Sequence, residues 1–285
     1  MKKSFKELEE IDLKLELLSG SSIYAGNLEI IPYTLDEIRE YGYSDYMTNL
    51  QWISVTVDDF ISSIMDLEKR VTLQAERNNL KAFDFYMTLG GHELRENLMT
   101  ALSMIFRTDD LQVLEDNYIA IDFMKQGILY EREDGSLAVD QKLFDSINHE
   151  DLKIVHRDNF DDIIEAIKLM NYLKKPAKKE ADGVNPADAE TKALMEHMQK
   201  LKEKVENKKK KAKENEDGDI DIADIISAVS SKSPSLNKLN IWKLTIYQLY
   251  DEYSRLELID NYDFSIRAMM AGAEKVELTH WSSKL

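Results

Sequence analysis

Apolar residues along this chain recur at helical spacing far more often than they alternate. Thr34-Leu35-Asp36-Glu37 is a capping box, in which the Thr34 hydroxyl takes the third helical N–H and Glu37 reaches back. It predicts a helix towards Gly42, followed by another over 44–53. Phe60, Ile61, Ile64, Met65, Leu67 and Val71 approximate helical spacing and predict a helix over 57–77. A helical stretch over 80–89 stops at Gly90-Gly91. The next spans His92 to Phe106, with Leu94, Leu98, Leu102 and Ile105 as its buried stripe. After Asn159 as cap, Phe160, Ile163, Ile164, Ile167, Met170 and Leu173 share one helical face.

Strand signals are fewer. Leu13–Leu18, the small residues Ser19-Gly20-Ser21-Ser22 and then Ile23–Ile31 predict a hairpin or edge sheet ended by Pro32. Tyr118–Phe123 alternates as a strand does. Residues 128–133 and 136–139 flank Asp134-Gly135, a strong hairpin turn. Leu152–His156 predicts one more strand.

The pattern changes near residue 174. Lys174-Lys175-Pro176 and Asn185-Pro186 frame a polar linker, with a helix expected beyond Pro186. Its stripe of Leu194, Met198, Leu201 and Val205 is thin and fades into Lys208–Lys211. Residues 174–213 hold 13 lysines against 7 acids, so a basic arm joins acidic bodies. Further on, Ile220, Ile222, Ile225, Ile226 and Val229 form a short helix closed by Ser233-Pro234-Ser235. Helices over 241–256 and 262–271 follow. The expected fold is α+β and predominantly helical, without internal repeats. It comprises a helix-rich domain with small hairpins over 1–174, a charged linker helix over 175–217 and a small helical bundle over 218–285.

Composition narrows the function. In 285 residues, only four prolines and ten glycines favour helices over an all-β fold. The net charge of −17 argues against broad phosphate binding. The absence of cysteine excludes a disulfide scaffold, a zinc ribbon, a thiolate nucleophile and an iron–sulfur cluster. The first ten residues turn acidic before any apolar run, unlike a signal peptide, and no apolar stretch is long enough to span a membrane. A soluble, acidic, cytosolic-type protein is expected.

No chemical motif stands out. The five histidines form no His-Glu-x-x-His pair, and surface positions are expected for His149 and His156. Asp217-Gly218-Asp219-Ile220-Asp221 resembles the start of a calcium loop but has Ile222 at the glycine position and Ala228 where a bidentate Glu belongs. Phosphate-binding glycine loops and a nucleophile elbow are absent. The Lys208–Lys211 run lacks interleaved aromatics and disfavours nucleic acid as a partner. Dispersed carboxylates leave a metal-dependent or nucleic-acid factor as the alternative class. The expectation is no enzyme, no cofactor and no metal.

The aromatic segment near the end carries more information. Trp242, Tyr247, Tyr250 and Tyr253, with Ile246 and Leu249, cover more than one helical stripe, which suits either a bundle centre or a partner surface. Twelve methionines add adaptable apolar surface to such a face.

Ile30–Ile38 with Gly42 and Tyr46, Asn159-Phe160-Asp161 before a lysine-rich linker, and Ile241–Asp251 with Arg255, Ala271-Gly272-Ala273 and Trp281 resemble a family from tailed phages of Gram-positive bacteria. The resemblance touches both ends and the middle as short motifs. It implies a tail-morphogenesis product without catalytic residues, a tail assembly chaperone whose partner is the tape-measure protein or tail tube. A minor structural component of the tail or connector is the alternative. It implies residence in the host cytoplasm or the virion. Trp242, Tyr247, Tyr250, Arg255 and Trp281 are the candidate partner-binding residues, with self-association a further option.

Overall fold

The computed structural model describes residues 3–89, 91–115, 117–148, 151–173, 220–273 and 276–284. The chain divides into two compact units, Met1–Leu173 with Leu239–Leu285, and Lys174–Lys238. The first unit opens with α1 (Glu10–Ser19), a hairpin of β1 (Ile23–Ala25) and β2 (Leu28–Ile30), and the helices α2 (Leu35–Tyr41) and α3 (Tyr43–Ile53). Then come α4 (Val57–Ser63), α5 (Leu67–Ala75), the short α6 (Ala82–Asp84) running into a π-turn over Phe85–Leu89, and α7 (Gly91–Phe106). β3 (Leu111–Leu114), β4 (Tyr118–Ile121), β5 (Leu129–Glu131) and β6 (Leu137–Val139) precede α8 (Gln141–Ser146), β7 (Ile154–His156) and α9 (Phe160–Met170). In the second unit, α10 (Ile222–Lys232) is opened by Asp221, whose carboxylate accepts the Asp224 N–H at 2.9 Å. Back in the first unit, α11 (Ile246–Met270) follows a 3-10 turn at Ile241–Lys243. The fold is α+β and predominantly helical, as expected.

Short polar side chains open many of these helices by taking up the first free N–H groups. Thr34 Oγ1 accepts the Glu37 N–H at 3.3 Å while Glu37 Oε2 accepts the Thr34 N–H at 2.8 Å. Thr56 with Asp59 opens α4 in the same way. Asn159 departs from expectation. Its side chain accepts the His156 N–H and donates to the Ile154 carbonyl, each at 2.8 Å, so it locks the turn after β7 instead of capping α9.

The core forms where α9 lies on the β1–β2 hairpin. Phe160, Ile163 and Ile167 are fully enclosed, as are Ile23, Ala25 and Leu28 of the hairpin. Phe160 meets Phe83 at 5.2 Å and the edge of Tyr86 at 5.7 Å, and Tyr86 in turn meets Phe60, which stacks on Phe85. Staggered aromatic pairs of this kind add about 0.5–1.5 kcal/mol each beyond burial. The strands β3, β4 and β7 form an antiparallel sheet in that order, and β5–β6 a separate hairpin. Phe123, Ile128, Leu129 and Leu152 build a smaller core there, with Leu143, Phe144 and Ile147 packed against it.

Several elements differ from the sequence reading. Leu13–Leu18 is helical rather than a strand, because Glu10 and Asp12 suit a helix N-terminus and Gly20, at φ +72°, ends the helix in the left-handed region. The hairpin pairs Ile23–Ala25 with Leu28–Ile30 instead. The helix expected over 57–77 breaks at Ile64, and Asp66 starts α5 by accepting the Glu68 and Lys69 N–H groups. Met65, Leu67 and Val71 are therefore exposed. The two helices expected over 241–256 and 262–271 are one, since no glycine or proline interrupts 246–270. The expected linker helix and Lys208–Lys211 lie outside the described residues.

Residues 239–284 find their neighbours in the N-terminal part, with α11 packing beside α1 and α9. A chain ended after Lys238 therefore loses contacts that complete the first unit. We expect it to melt at least about 5 °C below the full chain, since a 150–250-residue protein loses roughly 2–4 °C per kcal/mol. Calorimetry checks this, and equal melting temperatures would contradict it.

Candidate functional site

The joint between α11 and the N-terminal part is built from two helix starts placed side by side. Thr34 and Thr245, the residues before α2 and α11, form an antiparallel bridge, and the Leu35 N–H donates to the Leu244 carbonyl at 2.8 Å. Thr245 Oγ1 accepts the Gln248 N–H at 3.2 Å, and Gln248 Oε1 accepts the Thr245 N–H at 2.9 Å. The other end of the same amide, Gln248 Nε2, donates to the Leu18 carbonyl at 2.8 Å, tying α11 to the last turn of α1. A Cβ on Gly20 would lie 3.1 Å from that nitrogen, so glycine is needed there for room as well as for its positive φ.

Burial fixes the near end of α11. Ile246 and Leu249 are enclosed, and Tyr172 stacks on Tyr250 at 5.3 Å and meets the edge of Tyr247 at 5.7 Å. Burial raises the phenol pKa of both Tyr247 and Tyr250. Asp251 beside them is raised by burial too, with Arg255 opposing the shift. The far half is held from one side by the returning chain. Arg255 Nη1 donates to the carbonyls of Trp281 and Ser283 at 2.9 Å, Tyr262 meets His280 edge-on, and Lys284 pairs with Glu10 of α1 at 2.9 Å.

These ties leave an apolar face in the open. On α1, Leu17 turns inward while Ile11, Leu15 and Leu18, spaced by four and three, stay exposed, Ile11 at 63% and Leu15 at 56%. On α11, Phe264 is 75% exposed and Met270 84%. A stripe of three large aliphatic residues on one helix is the geometry that accepts a partner helix through i, i+3, i+4 anchors.

Among the expected partner-binding residues, Tyr247 and Tyr250 are brought together around Tyr172, and Arg255 with Trp281. Trp242 is half-buried in the 3-10 turn, while Trp281 is 48% exposed next to His280. The reading of residues alone passed over Ile11, Leu15, Leu18 and Phe264. The spacing of the first three carries the signal, which the strand expected over Leu13–Leu18 hides.

Other parts of the first unit offer less. A groove of about 610 Å³ runs past Tyr33, Tyr41, Met99, Ser103 and Arg107. The Arg107 guanidinium there lies 4.1 Å from the Tyr33 ring centre and bonds Glu37 at 2.6 Å and the Pro32 carbonyl at 3.1 Å, so its charge is already used. Beside β3, Lys125 Nζ sits among Thr108 Oγ1 at 2.6 Å, Asp109 at 3.1 Å and Asp122 at 3.5 Å, filling the place a cation would take. Among the described residues no group of three or more histidines or acids is arranged to hold a metal ion, and no helix is long and apolar enough to cross a membrane.

Residues 208–285 match the family described as the YomV second domain, a phage-derived family. This part of the chain is thus similar to a phage-associated domain, over just over a quarter of the length. No curated protein and no solved structure matches the chain.

Glu37 links the paired helix starts to solution pH. The Arg107 guanidinium, helped by the Thr34 N–H and opposed by burial, holds its carboxyl down at about 2, against an ordinary 4.5. A carboxylate depressed in the folded state stabilises it fully above the unfolded value, and that contribution fades as pH falls from about 4.5 to about 2. Urea midpoints measured across this window should fall for the native chain and fall less steeply for Glu37→Gln. Identical slopes would show that Glu37 does not couple folding to pH.

Proposed function

We propose that this chain is a non-enzymatic phage protein of tail morphogenesis, a tail assembly chaperone that binds a helical segment of the tape-measure protein. The observation that carries this reading is the exposed stripe of Ile11, Leu15 and Leu18 on a helix clamped to the body by Gln248 and Lys284. A stripe held on a rigid element presents its anchors without further ordering cost. The match of the last residues to a phage-derived domain supports the biological setting, and the resemblance of Ile30–Ile38 and Ile241–Asp251 to tailed-phage proteins supports the tail.

Charge supports the same role. An apolar client needs a carrier that keeps the complex dispersed, and −17 on this chain supplies mutual repulsion between complexes. The complex would form in the host cytoplasm before the tail polymerises. A permanent place in the virion tail is the competing role, and it predicts a different fate for the protein.

The test is capture of a tagged chain from infected cells, with quantitative mass spectrometry of purified virions alongside. The reading expects a long, helical tail protein in the capture and no copies of this chain in virions. Ile11→Glu with Leu15→Glu should reduce client capture at least about tenfold, as expected for two anchor residues, while the melting temperature stays within about 2 °C, as exposed positions do. A fixed copy number in virions would assign a structural role instead. Undiminished capture by the double variant would place the client elsewhere.

A further inference from the structure

The exposed stripe of α1 has two edges of different character. Ile11, Leu15 and Leu18 lie within about 60° of one another around the helix, at about 100° per residue. Asp12 and Glu16, four apart, follow the stripe along one edge, and the N-cap residue Glu9 precedes them. All three acids are exposed, and none has a salt bridge or a side-chain hydrogen bond among the described residues. Lys14 lies along the other edge, where Glu10 pairs with it at 2.9 Å and with Lys284 of the returning chain at 2.9 Å. The charges of that edge are paired within the chain, whereas the acidic edge is open. Helix formation does not account for all of these acids. Glu9 and Asp12 suit the positive end of the helix dipole, but Glu16 stands in the last turn, which holds no basic residue, and there a negative charge opposes the dipole.

We infer that the segment docked on this stripe is an amphipathic helix with a basic edge, its apolar anchors on Ile11, Leu15 and Leu18 and its lysines or arginines against Glu9, Asp12 and Glu16. The inference rests on the client reading above and names the chemistry of the client. A partner helix with cations one turn apart beside its own apolar row meets both Asp12 and Glu16 while its anchors sit on the stripe. Rim charges of this kind select the partner more than they hold it. A helix with an acidic edge brings like charges together there and is rejected. A second copy of this chain is a poor occupant for the same reason, since it carries −17 and the same acidic edge. The overall charge also steers a basic segment towards the chain, an attraction that salt screens.

Three synthetic helical peptides test this by fluorescence anisotropy on the full chain. They share one leucine stripe and differ only in carrying Lys, Gln or Glu along one edge. The Lys-edged peptide should bind at least about fivefold more tightly than the Gln-edged one at low salt, as expected for two or three exposed pairs, and the Glu-edged one more weakly still. Asp12→Lys with Glu16→Lys should reverse the order of the Lys-edged and Glu-edged peptides. Glu131→Lys with Glu133→Lys, an equal change of net charge at exposed positions elsewhere, should not. Both double variants should keep the melting temperature within about 2 °C, as exposed positions do. Equal binding of the three peptides, lost in Ile11→Glu with Leu15→Glu, would overturn the basic edge and leave the client reading standing. A preference altered as much at Glu131 and Glu133 as at Asp12 and Glu16 would show attraction to overall charge alone and overturn it too. No binding, or binding that survives Ile11→Glu with Leu15→Glu, would remove the stripe as a docking site and both readings with it.

Discussion

Two helix starts lying against each other set the architecture of the first unit. The N-terminus of a helix carries free N–H groups and a partial positive charge, so placing α2 and α11 start to start brings like ends together. The chain meets this in three ways. Each start carries its own capping box, Thr34 with Glu37 and Thr245 with Gln248. The Leu35 N–H, otherwise an orphan, finds the Leu244 carbonyl. Glu37 adds a negative charge at the start of α2, balanced in turn by Arg107. Each cap contributes on the order of 1 kcal/mol. Their joint effect is positional, because they fix where a 25-residue helix leaves the body.

From that point α11 is clamped at its start and tied along one side by the returning chain. Its first turns are clamped by Ile246, Leu249 and the Tyr172–Tyr250 stack. Further out, contact with the returning chain covers one side and leaves the other to solvent. α1 is held in place by Gln248 of this helix and by Lys284 of the returning chain, which leaves the stripe of α1 in the open.

Local chemistry was legible and long-range pairing was not. The box at Thr34, the hairpin turn at Asp134-Gly135 and the apolar face of α9 follow from neighbours within a few residues, and the structure has all three. Thr245 and Gln248 carry the same signature as Thr34 and Glu37, but the apolar Ile241 places the expected helix start five residues too early. The break before Asp66 was hidden because Ile64, Met65 and Leu67 keep helical spacing across it. For the candidate site, the spacing of Ile11, Leu15 and Leu18 was visible, yet its exposure depends on Leu17, with the half-buried Leu13, turning inward. The bridge between Thr34 and Thr245 has no local signal at all, since more than 200 residues separate its partners.

The same bridge imposes an order in time. A ribosome delivers residues 1–173 first and must then make the whole of Lys174–Lys238 before α11 can arrive. At about 5–20 residues per second that interval lasts several seconds, far longer than a helix or hairpin needs to form. During it the Leu35 N–H, the Leu18 carbonyl and the Tyr172 ring stand without the groups that later satisfy them. The nascent protein thus passes through a stage in which its own last helix is the missing ligand, and any helix offering a free carbonyl and an aromatic at the right spacing competes for that berth.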